Sequence, residues 1–158
     1  MLVVGADPGL GGAVALLDTT DDRLLIWDMP THALTRSGKA KREIDAYSLA
    51  DILRLHRIDH LFIERVGAMP GQGVSSVFAF GQAFGVIRGV ASAIGIPMTL
   101  VSPAKWKKDL GVPAAKDGAR ARCSQIFPAH AHLWSRSKDH SRAEALLLAH
   151  YGIKTNGW

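Results

Sequence analysis

The sequence predicts an α/β fold: a mixed five-stranded sheet with helices on both faces. Three observations predict it. Short apolar runs broken by turn residues crowd the stretch from Leu2 to Met29. A later run, Leu61-Phe62-Ile63, is apolar without interruption. Apolar residues at helical spacing occupy most of the remainder.

Leu2 to Ala6 is the first strand, stopped by Asp7-Pro8-Gly9, where proline and glycine impose a tight turn. Gly11 to Asp18 reads as a second strand and Arg23 to Met29 as a third, with Asp21-Asp22 turning the chain between them. Three strands joined so closely suggest an antiparallel meander. Pro30 to Arg42 is polar and basic without periodicity and reads as a mobile loop. Ile44 to His56 places Tyr47, Leu49, Ile52, Leu53 and Leu55 at helical spacing, with Asp45 as N-cap. His60 to Val66 is a buried strand suited to the centre of a parallel sheet, followed by a loop from Gly67 to Gly73.

Val74 to Ile94 is a long helix in which Gly81, Gly85 and Gly89 fall on nearly one face. Such a face admits another backbone, from the sheet or from a second subunit. Phe78 and Phe80 are expected in the core or in a dimer interface. Gly95-Ile96-Pro97 ends the helix, and Met98 to Val101 is the fifth strand. Ala104 to Leu110 is a short basic helix, Lys116 to Phe127 a further helix, and Ala129 to Arg136 a loop. Asp139 to Tyr151 is a final amphipathic helix with Gly152 as its cap. A meander followed by alternating helices and strands is the order of a mixed sheet. No repeat or linker interrupts it, so one domain over residues 1–158 is expected.

The chain has 158 residues, 47% of them hydrophobic, enough for the core of one domain. No window reads as the long uncharged apolar run of a membrane span, and the start lacks a basic leader region, so a soluble, cytoplasmic protein without membrane contact is expected. The single cysteine, Cys123, excludes a disulfide framework and a cysteine zinc cluster, and its helical surroundings suit a packed thiol. The net charge is +5. Basic residues gather as Arg36, Lys39, Lys41 and Arg42; as Lys105, Lys107 and Lys108; as Lys116, Arg120 and Arg122; and as Arg136, Lys138 and Arg142. Any one cluster reads as a solvated face. Four of them beside a group of acids favour a polyanionic partner.

Those acids sit where a core would not want them. Asp7 follows an apolar strand, Glu64 ends one, and Asp139 and Glu144 lie on the last helix. Alone, Asp7 is a turn-former, Glu64 pairs with Arg65 or Arg88, Asp139 is an N-cap, and Glu144 pairs with a basic residue. Together they suggest carboxylates converging on divalent cations, for which Mg²⁺ prefers oxygen ligands. Two such ions roughly 3.5–4 Å apart serve phosphodiester cleavage.

Val4-Gly5-Ala6-Asp7-Pro8-Gly9, Phe62-Ile63-Glu64 and the run from Asp139 to Ala149 resemble the blocks of RuvC-type Holliday-junction resolvases, in the RNase H-like superfamily. Gln72 to Ser76 and Gly81 to Gly85 are similar to the helix after the glutamate in that family. The likeness is strongest to phage-type and divergent members and runs from residue 2 to about 152. It implies a metal-dependent endonuclease that nicks four-way DNA junctions symmetrically as a homodimer. Two Mg²⁺ ions per site are implied, with Mn²⁺ substituting. Asp7 would bridge them, Glu64 would hold one, and the last helix the other. If Glu144 takes the family's final acid position, the ligand one turn earlier falls on Ser141, a poor Mg²⁺ ligand. Asp139 or His140 would then serve. Asp139 is five residues from Glu144, about 500° around a helix, and reaches the metal only from a non-helical start. Oxygen preference ranks Asp139 above His140.

The family's lysines near the scissile phosphate imply a catalytic role for Lys105 or its neighbours and, separately, for Lys116, leaving Lys107, Lys108, Arg36, Lys39, Lys41 and Arg142 as DNA contacts. Trp106 reads as a core anchor. The family inserts an apolar wedge from the loop after the glutamate, where Met69 is the large candidate. Two rival readings share these residues: another RNase H-like nuclease, such as a ribonuclease H, and a basic nucleic-acid-binding module without catalysis.

Overall fold

The structure is a computed structural model that describes residues 1–21, 23–36, 39–65, 67 and 71–158, with Arg36 and Lys39 described by backbone alone. Strands β1 (Leu2–Asp7), β2 (Ala13–Asp18) and β3 (Leu24–Asp28) form the expected meander. A separate two-stranded hairpin follows, β4 (Thr31–Arg36) and β5 (Lys39–Ile44). Next come α1 (Ala46–Arg54), β6 (His60–Glu64), α2 (Val74–Ile94) and β7 (Met98–Val101). Helices α3 (Pro103–Asp109), α4 (Gly118–Ile126) and α5 (His140–Asn156) complete the chain. The main sheet has the order β3-β2-β1-β6-β7, with β6 parallel to both β1 and β7.

Alternation along each strand divides the core in two. Val4, Ala6, Leu61 and Ile63 face α1 and α2, where they meet Leu49, Leu53, Ala83 and Ile87. Val3 and Phe62 face the other way, against Trp106, Cys123 and the apolar side of α5. Helices therefore cover both faces, as expected.

Helix α5 rides directly on the sheet because two glycines let it. A Cβ at Gly5 would run into the carbonyl oxygen of Ala145, and one at Gly152 would strike the Phe62 ring. Gly152 therefore does not end the helix. The chain stays helical to Asn156 and is capped by Gly157 in the left-handed region, at φ 68°.

Other expectations change in the same physical terms. The stretch read as a mobile loop from Pro30 to Arg42 is, wherever described, a hairpin with Leu34 opposite Lys41. The stretch from Ala129 to Arg136 contains a 3-10 helix, Pro128–Trp134, anchored by buried Trp134. The turn residue Asp22 and the wedge candidate Met69 lie outside the described residues.

Helix α2 buries one stripe, Ala83, Ile87 and Ala91. Phe78 is 73% exposed and Phe80 37%, so neither is in this chain's core. Among the described residues, nothing comes within 4 Å of a Cβ built at Gly81, Gly85 or Gly89, so that face does not approach the sheet. With 21 residues and an 18-residue stretch of mean hydropathy 1.5, α2 is long and apolar enough to cross a membrane, contrary to expectation. Its glycines, serines and lone Arg88 break up the apolar run without lowering the mean far enough. Here its buried stripe belongs to the core beneath α1 and the sheet.

Candidate active site

Two adjacent strand ends begin the site. The parallel register pairs Ala6 with Ile63, so Asp7 and Glu64 come next to each other at the ends of β1 and β6. The strand alternation that sends Val3 and Phe62 towards α5 sends Asp7 and Glu64 the same way. Helix α5, held against β1 at Gly5, brings Ser141 and Glu144 onto them. Helix α3 supplies the remaining partners.

The contacts are specific. Trp106 Nε1 donates to Glu64 Oε2 at 2.8 Å. The next residue, Lys107, places Nζ 2.7 Å from Glu144 Oε1 and 5.1 Å from the centre of the Trp106 ring. The Ser141 hydroxyl lies near enough to the Asp7 carboxylate to lower its pKa. His140 Nε2 lies 3.3 Å from Ser141 Oγ. A hydrogen bond to a charged group contributes roughly 1.5–3 kcal/mol, which makes the indole–carboxylate contact a firm one.

The carboxylates crowd each other. Burial, then the charge of Glu144, pushes the Asp7 carboxyl up to about 7, against the lowering effect of Ser141. Burial also raises Glu64, opposed by the Trp106 N–H and reinforced by Glu144. Burial works against the charge of Lys107, but Glu144, Glu64 and Asp7 outweigh it and hold that ammonium above its ordinary pKa. One ammonium cannot neutralise three carboxylates.

This donor set, three carboxylates and a hydroxyl, suits a hard divalent cation such as Mg²⁺. Among the described residues, no three His, Cys, Asp or Glu side chains stand close enough together to hold a metal ion as they are placed. Lys107 holds one oxygen of Glu144, so a cation drawn between Asp7, Glu64 and Glu144 competes with it.

The other sequence candidates lie apart from this group. Asp139 does stand at a non-helical helix entry, ending a 3-10 turn before α5. Its carboxylate, however, faces Arg136, which donates through Nε and Nη2 at 2.9 Å each and through its backbone N–H at 3.1 Å. Those hydrogen bonds hold its pKa down at about 2. Lys105 pairs with Asp109 one helical turn on, at 2.9 Å, and Lys116 is exposed ahead of α4. Neither is among the charges that act on Asp7 or Glu64, whereas Lys107 acts on both. Arg142, expected to contact DNA, is already engaged: it pairs with both Asp28 oxygens at 2.6 and 2.7 Å and donates to the Leu133 carbonyl at 3.1 Å. Lys41 and Lys108 are exposed, whereas Arg36 and Lys39 are known only as facing hairpin positions.

Two participants were not legible as such. Ser141 was set aside as a poor ligand, yet its hydroxyl acts on Asp7. Trp106 is a core residue as expected, but its N–H serves the site. The adjacency of Trp106 and Lys107 was the available signal.

Comparison with known proteins bears on the fold. No family model matches the chain. The chloroplastic Holliday junction resolvase MOC1 of Chlamydomonas reinhardtii is 25% identical over 158 residues, a match that covers 86% of this chain and 18% of that protein. The chain thus corresponds to less than a fifth of that relative's length. Among solved structures, T. thermophilus RuvC in complex with a Holliday junction substrate superposes with a TM-score of 0.65 at 18% identity, covering 98% of this chain and 96% of that one. The yeast mitochondrial Holliday junction resolvase Ydc2 gives 0.59 at 12% identity, covering 98% and 78%. The fold is therefore the RNase H-like fold of RuvC-type resolvases.

Proposed function

We propose that this chain is a metal-dependent endodeoxyribonuclease that resolves four-way DNA junctions by symmetric nicking as a homodimer, acting in the cytoplasm. The observation that carries the reading is the meeting of Asp7 and Glu64 at adjacent parallel strand ends beneath Glu144. It occurs in a fold shared with proteins solved on junction DNA. Two Mg²⁺ ions, or Mn²⁺ in their place, would supply water activation and charge stabilisation during phosphodiester hydrolysis.

Asp7 feels both other carboxylates and would be shared between two ions, with Glu64 on one side. Glu144 would hold the other, with Ser141 and His140 close by. Lys107 is the cation positioned to meet the scissile phosphate. Asp139, tied to Arg136, fixes the chain's entry into α5 instead of binding metal. The hairpin carrying Arg36, Lys39, Lys41 and Arg42, together with exposed Lys108, supplies phosphate contacts along the junction arms. The glycine face of α2, with exposed Phe78, supports a second copy as partner.

The test is nick mapping on synthetic four-way junctions with Mg²⁺ or Mn²⁺. Paired symmetric nicks are expected. Asp7→Asn and Glu144→Gln should bind junctions in metal-free buffer yet lose cutting by more than the roughly 100-fold that outer-shell substitutions reach. Asp139→Asn should stay within a few-fold of the unsubstituted protein. Wild-type cutting by Asp7→Asn would sink the assignment. Efficient cutting of an RNA–DNA hybrid with junctions untouched would favour a ribonuclease H. Salt-sensitive binding without any cleavage would favour a non-catalytic module.

A further inference from the structure

We infer that Trp106 is a positioning residue that sets the geometry of Glu64 for cation binding, an inference that rests on the nuclease reading above. The indole N–H is a donor only, and a buried one requires a partner. Trp106 is 0% exposed, and the partner chosen is the carboxylate of Glu64, 42 residues away, at 2.8 Å. A residue serving only as a core anchor would fill the same space with its N–H on any convenient carbonyl.

The arrangement around the ring is rigid. Proline at the first turn of α3 and the bond from the Trp106 amide to the Ser102 carbonyl at 3.2 Å hold the backbone. The apolar body of the ring is packed among the residues under α5. The N–H takes one lone pair of Oε2 and so fixes the plane of the carboxylate, leaving Oε1 for a cation. Outer partners that orient a ligand in this way are a regular part of metal sites. Trp106 and Lys107 together let one short helix orient both Glu64 and Glu144.

The experiment is a Mn²⁺ titration of the full chain followed by electron paramagnetic resonance, which reads binding without turnover. Trp106→Phe removes the donor, and 3-benzothienylalanine at position 106 removes it while keeping the ring's volume. Both are expected to weaken Mn²⁺ binding about 10-fold, with metal-free junction affinity unchanged. In a Glu64→Gln background, Trp106→Phe should add nothing. Unchanged Mn²⁺ affinity in the benzothienyl protein, or an equal loss in both backgrounds, overturns the role of Trp106 and leaves the nuclease reading standing. A wild-type protein without saturable Mn²⁺ binding, or a Glu64→Gln variant that binds as well as wild type, overturns both.

Discussion

At Asp7 the crowding of the carboxylates shows as strain. Its carboxyl ionises near 7 rather than near its ordinary 3.8, chiefly through burial and then through Glu144. Between those two values the native state keeps a proton that the unfolded chain has released. The associated stability is therefore fully present below pH 3.8 and is lost as pH rises through about 7. In metal-free buffer at pH 8, Asp7→Asn should melt at a higher temperature than wild type, with a gain of at most roughly 4 kcal/mol. The gap should close towards pH 4, and Mg²⁺ should stabilise wild type but not the variant. Thermal denaturation across pH checks this. Equal melting of the two proteins at pH 8 would show that the Asp7 charge costs the fold nothing. The residues that relieve the strain, Lys107 and Ser141, carry no local mark, since their importance lies in contacts with other elements.

At the scale of elements, the meander, the parallel strands and α2 could be read from apolar patterning because each presents a face to the core. The hairpin could not. Ala33, Thr35, Ala40 and Lys41 are exposed, so no buried face imposed an alternation on its sequence. The end of α5 was misread because Gly152 has two possible meanings, a cap or a close approach, and the Phe62 ring decides for the second. Gly152→Ala should accordingly be destabilising, since overpacking costs roughly 1–3 kcal/mol and each kcal/mol shifts the melting temperature by about 2–4 °C in a domain of this size. Calorimetry checks it. A variant that melts with wild type would mean that α5 does not sit on Phe62 as described.

For the whole molecule, the open question is what covers α2. Among the described residues, the face carrying Gly81, Gly85 and Gly89 has no contact within 4 Å for an added Cβ, so a larger side chain there is expected to leave the fold of one chain intact. In the proposed homodimer, the same side chain would hold two backbones apart. Gly85→Leu is therefore expected to retain its circular dichroism spectrum while sedimenting as a monomer, and to lose the pairing of nicks. A Gly85→Leu protein that sediments as wild type would place the dimer contact elsewhere.

Asp7, Glu64, the sheet and the long helix were within reach of the sequence because each depends on neighbours in the chain: a strand, its stop and its periodicity. The placement of Glu144, and not Asp139, beside Asp7 was not. It turned on the rotation of α5 against β1 and on Arg136 taking up Asp139. Nor were the pairing of Lys107, and not Lys105, with Glu144 and the turning of the Trp106 N–H towards Glu64. These contacts join residues far apart in the chain, between groups whose types recur nearby. Only packing, which allows one rotation of each helix and one partner for each buried polar group, selects among them.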